Sequence, residues 1–120
     1  MTNSTHTRKE SPLACDMSAI EPDRREQHIA TAGQVFRAIM DIQELPDGYA
    51  FCLPNEPDTL LKAAEFISLE RLCCPFLGFV LEIEPEVGSV WLRLTGREGV
   101  KAFIREEVSG LLGNAINWAM

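Results

Sequence analysis

A chain of 120 residues has room for one domain, which buries roughly two-thirds of the surface its unfolded form exposes. Its net charge of −7 excludes the clustered Lys and Arg that binding to nucleic acid or to an anionic membrane surface requires. No apolar run approaches the roughly 20 residues of a membrane-spanning helix.

Residues 1–10 are polar, with no apolar segment behind Arg8-Lys9, so no secretory signal is expected. A cytoplasmic location with reduced cysteines follows as the expectation. Residues 1–17 lack periodicity and are expected to form a mobile tail ahead of a single α+β domain over 18–120. A helix is expected to begin at Pro22, with Asp23 and Glu26 at the positive end of its dipole. Ile29, Ala32, Phe36, Ile39 and Met40 recur at helical spacing as its buried face. Residues 42–45, the turn Pro46-Asp47-Gly48 and residues 49–53 then read as a hairpin. In its second strand Tyr49, Phe51 and Leu53 share one face, and Ala50 and Cys52 the other.

Pro54, Asn55 and Pro57 open a central helix with Leu60, Leu61, Ala64, Ile67 and Leu72 as its buried stripe, flanked by Phe66 and Leu69. Pro75 ends it, placing Cys73 in the last turn and Cys74 on the way out. A second hairpin alternates Phe79, Leu81 and Ile83 with Val80, Glu82 and Glu84, then Val90, Leu92 and Leu94 with Trp91 and Arg93. Thr95 and Glu98 form a capping-box pattern ahead of a helix bearing Val100, Phe103, Ile104, Val108 and Leu111. Ile116 and Trp118, near the C-terminus, are candidates to dock on the core or on a second subunit. The two hairpin-plus-helix units predict an α+β fold with a four-stranded, mostly antiparallel sheet and two helices on one face. The N-terminal helix is expected at the edge or over the other face, where it would cover Trp91 and Arg93. Strand order stays open.

Reactive side chains are densest at Glu70-Arg71-Leu72-Cys73-Cys74-Pro75-Phe76. Glu70 precedes the two cysteines by three and four residues, so its carboxylate reaches the same side of the helix end. Paired thiols beside a carboxylate suit a soft cation such as zinc or copper(I), or a thiophilic heavy metal or metalloid. A closed zinc site needs four ligands, and Cys15, Cys52, His6 and His28 are the remaining candidates. His28 reads as a surface or boundary histidine. Redox chemistry is disfavoured: a helix C-terminus and Glu70 both push the Cys73 pKa up, and a disulfide between neighbours is strained. Cysteine also packs as a small hydrophobe, so the pair can be plain core.

Three stretches, Leu13-Ala14-Cys15-Asp16-Met17-Ser18, Leu45-Pro46-Asp47-Gly48-Tyr49-Ala50-Phe51 and Glu70-Arg71-Leu72-Cys73-Cys74-Pro75-Phe76-Leu77, lie ahead of Trp91-Leu92-Arg93-Leu94-Thr95-Gly96. Together they resemble a set of small uncharacterised bacterial proteins with a Glu-Arg-x-Cys-Cys-Pro-Phe motif. The resemblance implies that Cys15 belongs with Cys73 and Cys74 as a three-thiol set, and it carries no catalytic assignment. Three thiolates suit a trigonal site for ions of the mercury, arsenic or lead type.

The leading functional expectation is a thiol-based protein for a soft metal or metalloid, with Cys73, Cys74, Cys15 and Glu70 as ligands. The alternatives are a non-catalytic interaction or homodimerisation domain with buried cysteines, and a dithiol redox protein. Neither nucleic acid nor a membrane is expected as a partner, and enzymatic activity is left unassigned.

Overall fold

The structure, a computed structural model, describes residues 11–113 and Trp118. Residues 1–10 of the expected tail, and Ile116, lie outside the described residues. A short 3-10 turn, Met17–Ala19, leads into α1 (Pro22–Arg37), then β1 (Asp41–Leu45) and β2 (Gly48–Leu53). α2 (Pro57–Cys73), β3 (Gly78–Ile83), β4 (Val90–Thr95) and α3 (Val100–Leu112) follow among the described residues. Both α1 and α2 carry proline in the first turn, where its missing N–H is no loss.

The four strands form one antiparallel sheet in the order β1-β2-β4-β3. The second hairpin therefore inserts with β4 beside β2, and α2 carries the chain across to the far edge. β4 suits the centre because Val90, Leu92 and Leu94 are all buried on one face. β3 suits the edge, where Glu82 is exposed and pairs with Arg93. The first hairpin packs tightly against β4: a Cβ at Gly48 would lie 1.9 Å from the Leu94 carbonyl oxygen, so only glycine fits.

Three expectations are corrected. First, α1 does not cover the face of Trp91 and Arg93. Phe36 meets Phe51 and Phe66 edge-on, with ring centroids 5.4 and 5.3 Å apart, so α1 joins α2 and α3 on one side of the sheet. The aromatic cluster gives Phe36 apolar partners, whereas the sheet's other face carries Arg93 and Glu82 as well as Trp91. Second, the buried stripe of α2 is Ala63, Phe66, Leu69 and Cys73, whereas Leu61 is 72% exposed and Ala64 and Leu72 are also exposed. The stripe of α1 likewise turns to His28, Thr31, Ala32, Val35 and Phe36, leaving Ile29 and Met40 outside. Third, Thr95 and Glu98 form no capping box. Thr95 ends β4, and the residue capping α3 is Gly99 at φ 96°, a conformation that glycine adopts without strain.

Candidate thiol site

α2 positions the site. Cys73 closes the buried stripe, so its side chain enters the core at 1% exposure. Pro75 forces the chain out of the helix at Cys74, whose φ of −128° and ψ of 68° turn its fully buried side chain back beside Cys73. The Cys74 N–H still donates to the Glu70 carbonyl at 2.8 Å, completing the last turn. The two sulfurs stand 3.8 Å apart.

Cys15 arrives from the other end of the chain. The Asp16 N–H donates to the Cys73 carbonyl at 2.9 Å, which fixes the N-terminal segment against the end of α2. The Asp16 side chain accepts from the Ser18 N–H, and fully buried Ile20 anchors the segment behind it. Half-buried Cys15 thereby joins the pair, and the sulfurs of Cys15, Cys73 and Cys74 all lie within 4.8 Å of one another. A metal ion can be held there.

Glu70 holds the cluster together. The Cys74 thiol donates to Oε2 at 3.3 Å, and Cys73 Sγ lies 3.5 Å from Oε1. Oε1 also meets His28 Nε2 at 2.8 Å. His28 stacks on Phe66 with 5.8 Å between ring centroids and is 3% exposed. One atom each of His28, Glu70 and Cys73 also falls within a 4.8 Å group, the second of two such groups among the described residues.

The electrostatics contradict the expectation for Cys73. The hydrogen bond from Cys74, with help from His28 and Cys15, outweighs both burial and the Glu70 charge, which does push upward as expected, and brings Cys73 down to about 6. Burial, then contact with Cys73 and the negative charges of Cys73 and Glu70, pushes Cys15 up to about 12. Cys74 is raised by its bond to Cys73 and by burial. For His28, burial works downward, but Cys73 and Glu70 raise it to about 9. Of the three thiols Cys73 is the one most readily ionised, and His28 beside it holds its proton more firmly than a free imidazole. The partial charge of the helix end is spread over a turn, and these contacts, within 4.8 Å of the Cys73 sulfur, outweigh it.

All four expected site residues, Cys15, Glu70, Cys73 and Cys74, come together. Cys52 does not join them: it lies on the other sheet face, its thiol raised by burial and by Asp41 and Glu84. No family model, curated protein or solved structure matches the chain. His28 is what sequence reasoning misplaced. Its signal was the alternative α1 stripe, His28, Ala32, Val35 and Phe36, which fits helical spacing as well as the one chosen.

Proposed function

We propose that the protein binds a thiophilic metal or metalloid ion through Cys15, Cys73 and Cys74. The observation that carries this is the mutual spacing of the three sulfurs, within 4.8 Å, with 3.8 Å between the adjacent pair. Sulfurs bonded at roughly 2.3 Å to one centre stand about 3.8 to 4.0 Å apart at tetrahedral or trigonal angles. A soft ion therefore needs only small side-chain adjustments to bond all three. The softness of three thiolates favours copper(I), zinc, mercury, arsenic or lead type ions over hard cations. Charge supports arsenic(III), the trivalent member: three thiolates around a trivalent ion are neutral, and the neighbouring His28 and Glu70 pair with each other. A neutral complex is what a buried site accommodates most cheaply. The resemblance built on the Glu-Arg-x-Cys-Cys-Pro-Phe run supports the same three-thiol set.

A second reading draws on the near-complete burial of Cys73 and Cys74 in the core: the thiols pack as hydrophobes, and the protein acts through its surface. One experiment separates the two. Protein purified without chelator is analysed for metals and titrated with zinc, mercury(II) and arsenite, beside the Cys73→Ser and Cys74→Ser double variant. The expected result is one ion per chain with sulfur-to-metal absorption, lost in the double variant. Absence of thiol-dependent uptake removes the ion-binding reading and leaves the packing one.

A further inference from the structure

The thiol cluster adjoins a cavity of about 90 Å³ between α1, α3 and the sheet. Cys15, His28 and Glu70 belong to both. Its other walls are largely apolar, with Ala32 and Phe36 from α1, Leu94 from β4, and Ile104 and Val108 from α3. Glu107 is an acidic member of the lining. The volume is about that of three water molecules in the liquid, yet most of the wall offers water no partner. One polar atom does lack a partner. His28 is 3% exposed, its Nε2 is taken by Glu70, and its Nδ1 is buried with no hydrogen bond. An unpaired buried group of this kind destabilises the protein, and a ligand that pairs with it recovers that loss. Ligand sites ordinarily combine apolar walls with a few placed polar groups, and a cavity of about 90 Å³, far below the usual size, admits only a very small group.

A bare trivalent ion bonded to three sulfurs has no use for such walls. We infer, on the basis of the ion-binding reading above, that the cavity receives the small alkyl group of an organo-substituted thiophilic ion. The ligand class is a monoalkyl trivalent metalloid, of which methylarsonous acid is the simplest. Cys73 and Cys74 hold the arsenic, and the methyl group occupies the cavity on the side where Cys15 stands. Binding is a condensation without change of oxidation state. Two arsenic–oxygen and two S–H bonds break, two arsenic–sulfur bonds form, and the two hydroxyls leave as water. The carbon–arsenic bond stays intact. Before it leaves, a hydroxyl can pair with His28 Nδ1, since a hydroxyl both donates and accepts.

The test is calorimetric titration of the full chain with methylarsonous acid and with arsenite. Ala32→Leu and Val108→Phe each fill the cavity from a different helix. Each is expected to weaken the methylated compound by about tenfold or more while arsenite changes by less than about twofold. Cys15→Ser is expected to do the reverse, because only arsenite uses the third sulfur. The inference is overturned if the filled variants, folded by circular dichroism, bind the methylated compound as wild type does or lose both compounds equally. Wild type supplies an independent readout: nuclear Overhauser contacts between the arsenic-bound methyl and the Ile104 and Val108 methyls are expected, and their absence overturns the inference. Thiol-dependent arsenite binding without these effects removes this inference alone. No thiol-dependent binding of either compound removes the ion-binding reading as well.

Discussion

Glu70 accepts from two directions, taking the His28 ring nitrogen on one oxygen and the Cys74 thiol on the other. Removing it strands groups that cannot reach water. In Glu70→Ala, His28 keeps neither ring nitrogen paired, so the fold is expected to lose about 2 kcal/mol, the cost of an unsatisfied buried polar group. Urea denaturation measures this, and Glu70→Gln, which keeps an acceptor oxygen, is expected to lose less. A loss near zero for Glu70→Ala would mean that His28 finds water or another partner. Glu70 was legible beforehand, because three- and four-residue spacing on a helix puts side chains on one side whatever the fold. His28 was not: its partner lies 42 positions away in sequence.

Helix faces show how far periodicity reaches. α2 carries apolar residues around most of its circumference, so the 3.6-residue period admits more than one stripe. Phe66 settles the choice by meeting Phe36 and Phe79 edge-on and stacking on His28. Cys73, seven residues beyond Phe66, follows it inward. The β3–β4 hairpin shows the opposite case, a local conflict that the fold tolerates. At its tip Glu86 and Val87 have φ of 63° and 53°, a region that costs a non-glycine residue about 1–2 kcal/mol. Val87 is 85% exposed and buries nothing in return. Val87→Gly is therefore expected to stabilise the protein by about 1 kcal/mol in thermal or chemical denaturation, without altering ion uptake; destabilisation would mean that the tip makes contacts elsewhere.

For the whole molecule, the thiol site sets a pH signature. His28, raised from 6.5 to about 9, contributes stability that is fully present below pH 6.5 and lost as pH rises through 9. Cys73, lowered from 9.0 to about 6, contributes stability present above pH 9 and lost as pH falls through 6. Between about 6.5 and 9 the two slopes oppose each other, so unfolding free energy is expected to change little there. Above pH 9 only losses remain: His28 has discharged, and Cys15, raised from 9.0 to about 12, contributes stability that disappears as pH climbs through 12. Urea midpoints at intervals from pH 6 to 10.5 test this. The expected curve has a plateau followed by a fall, and Cys15→Ser makes the fall shallower; a steep change across the plateau would contradict the opposed shifts of His28 and Cys73.

The α+β class and the antiparallel hairpins were decided within the sequence, because alternation, helical spacing and proline or glycine at turns act over a few neighbours. The position of Cys73 and Cys74 at a proline-terminated helix end, with Glu70 one turn back, was equally local. Insertion of β4 beside β2, the side of the sheet that α1 covers, and the meeting of Cys15 and His28 with the paired thiols were decided only by tertiary structure. Each depends on which apolar surfaces cover one another across tens of residues, and on one backbone hydrogen bond, from Asp16 to Cys73, that no local pattern encodes.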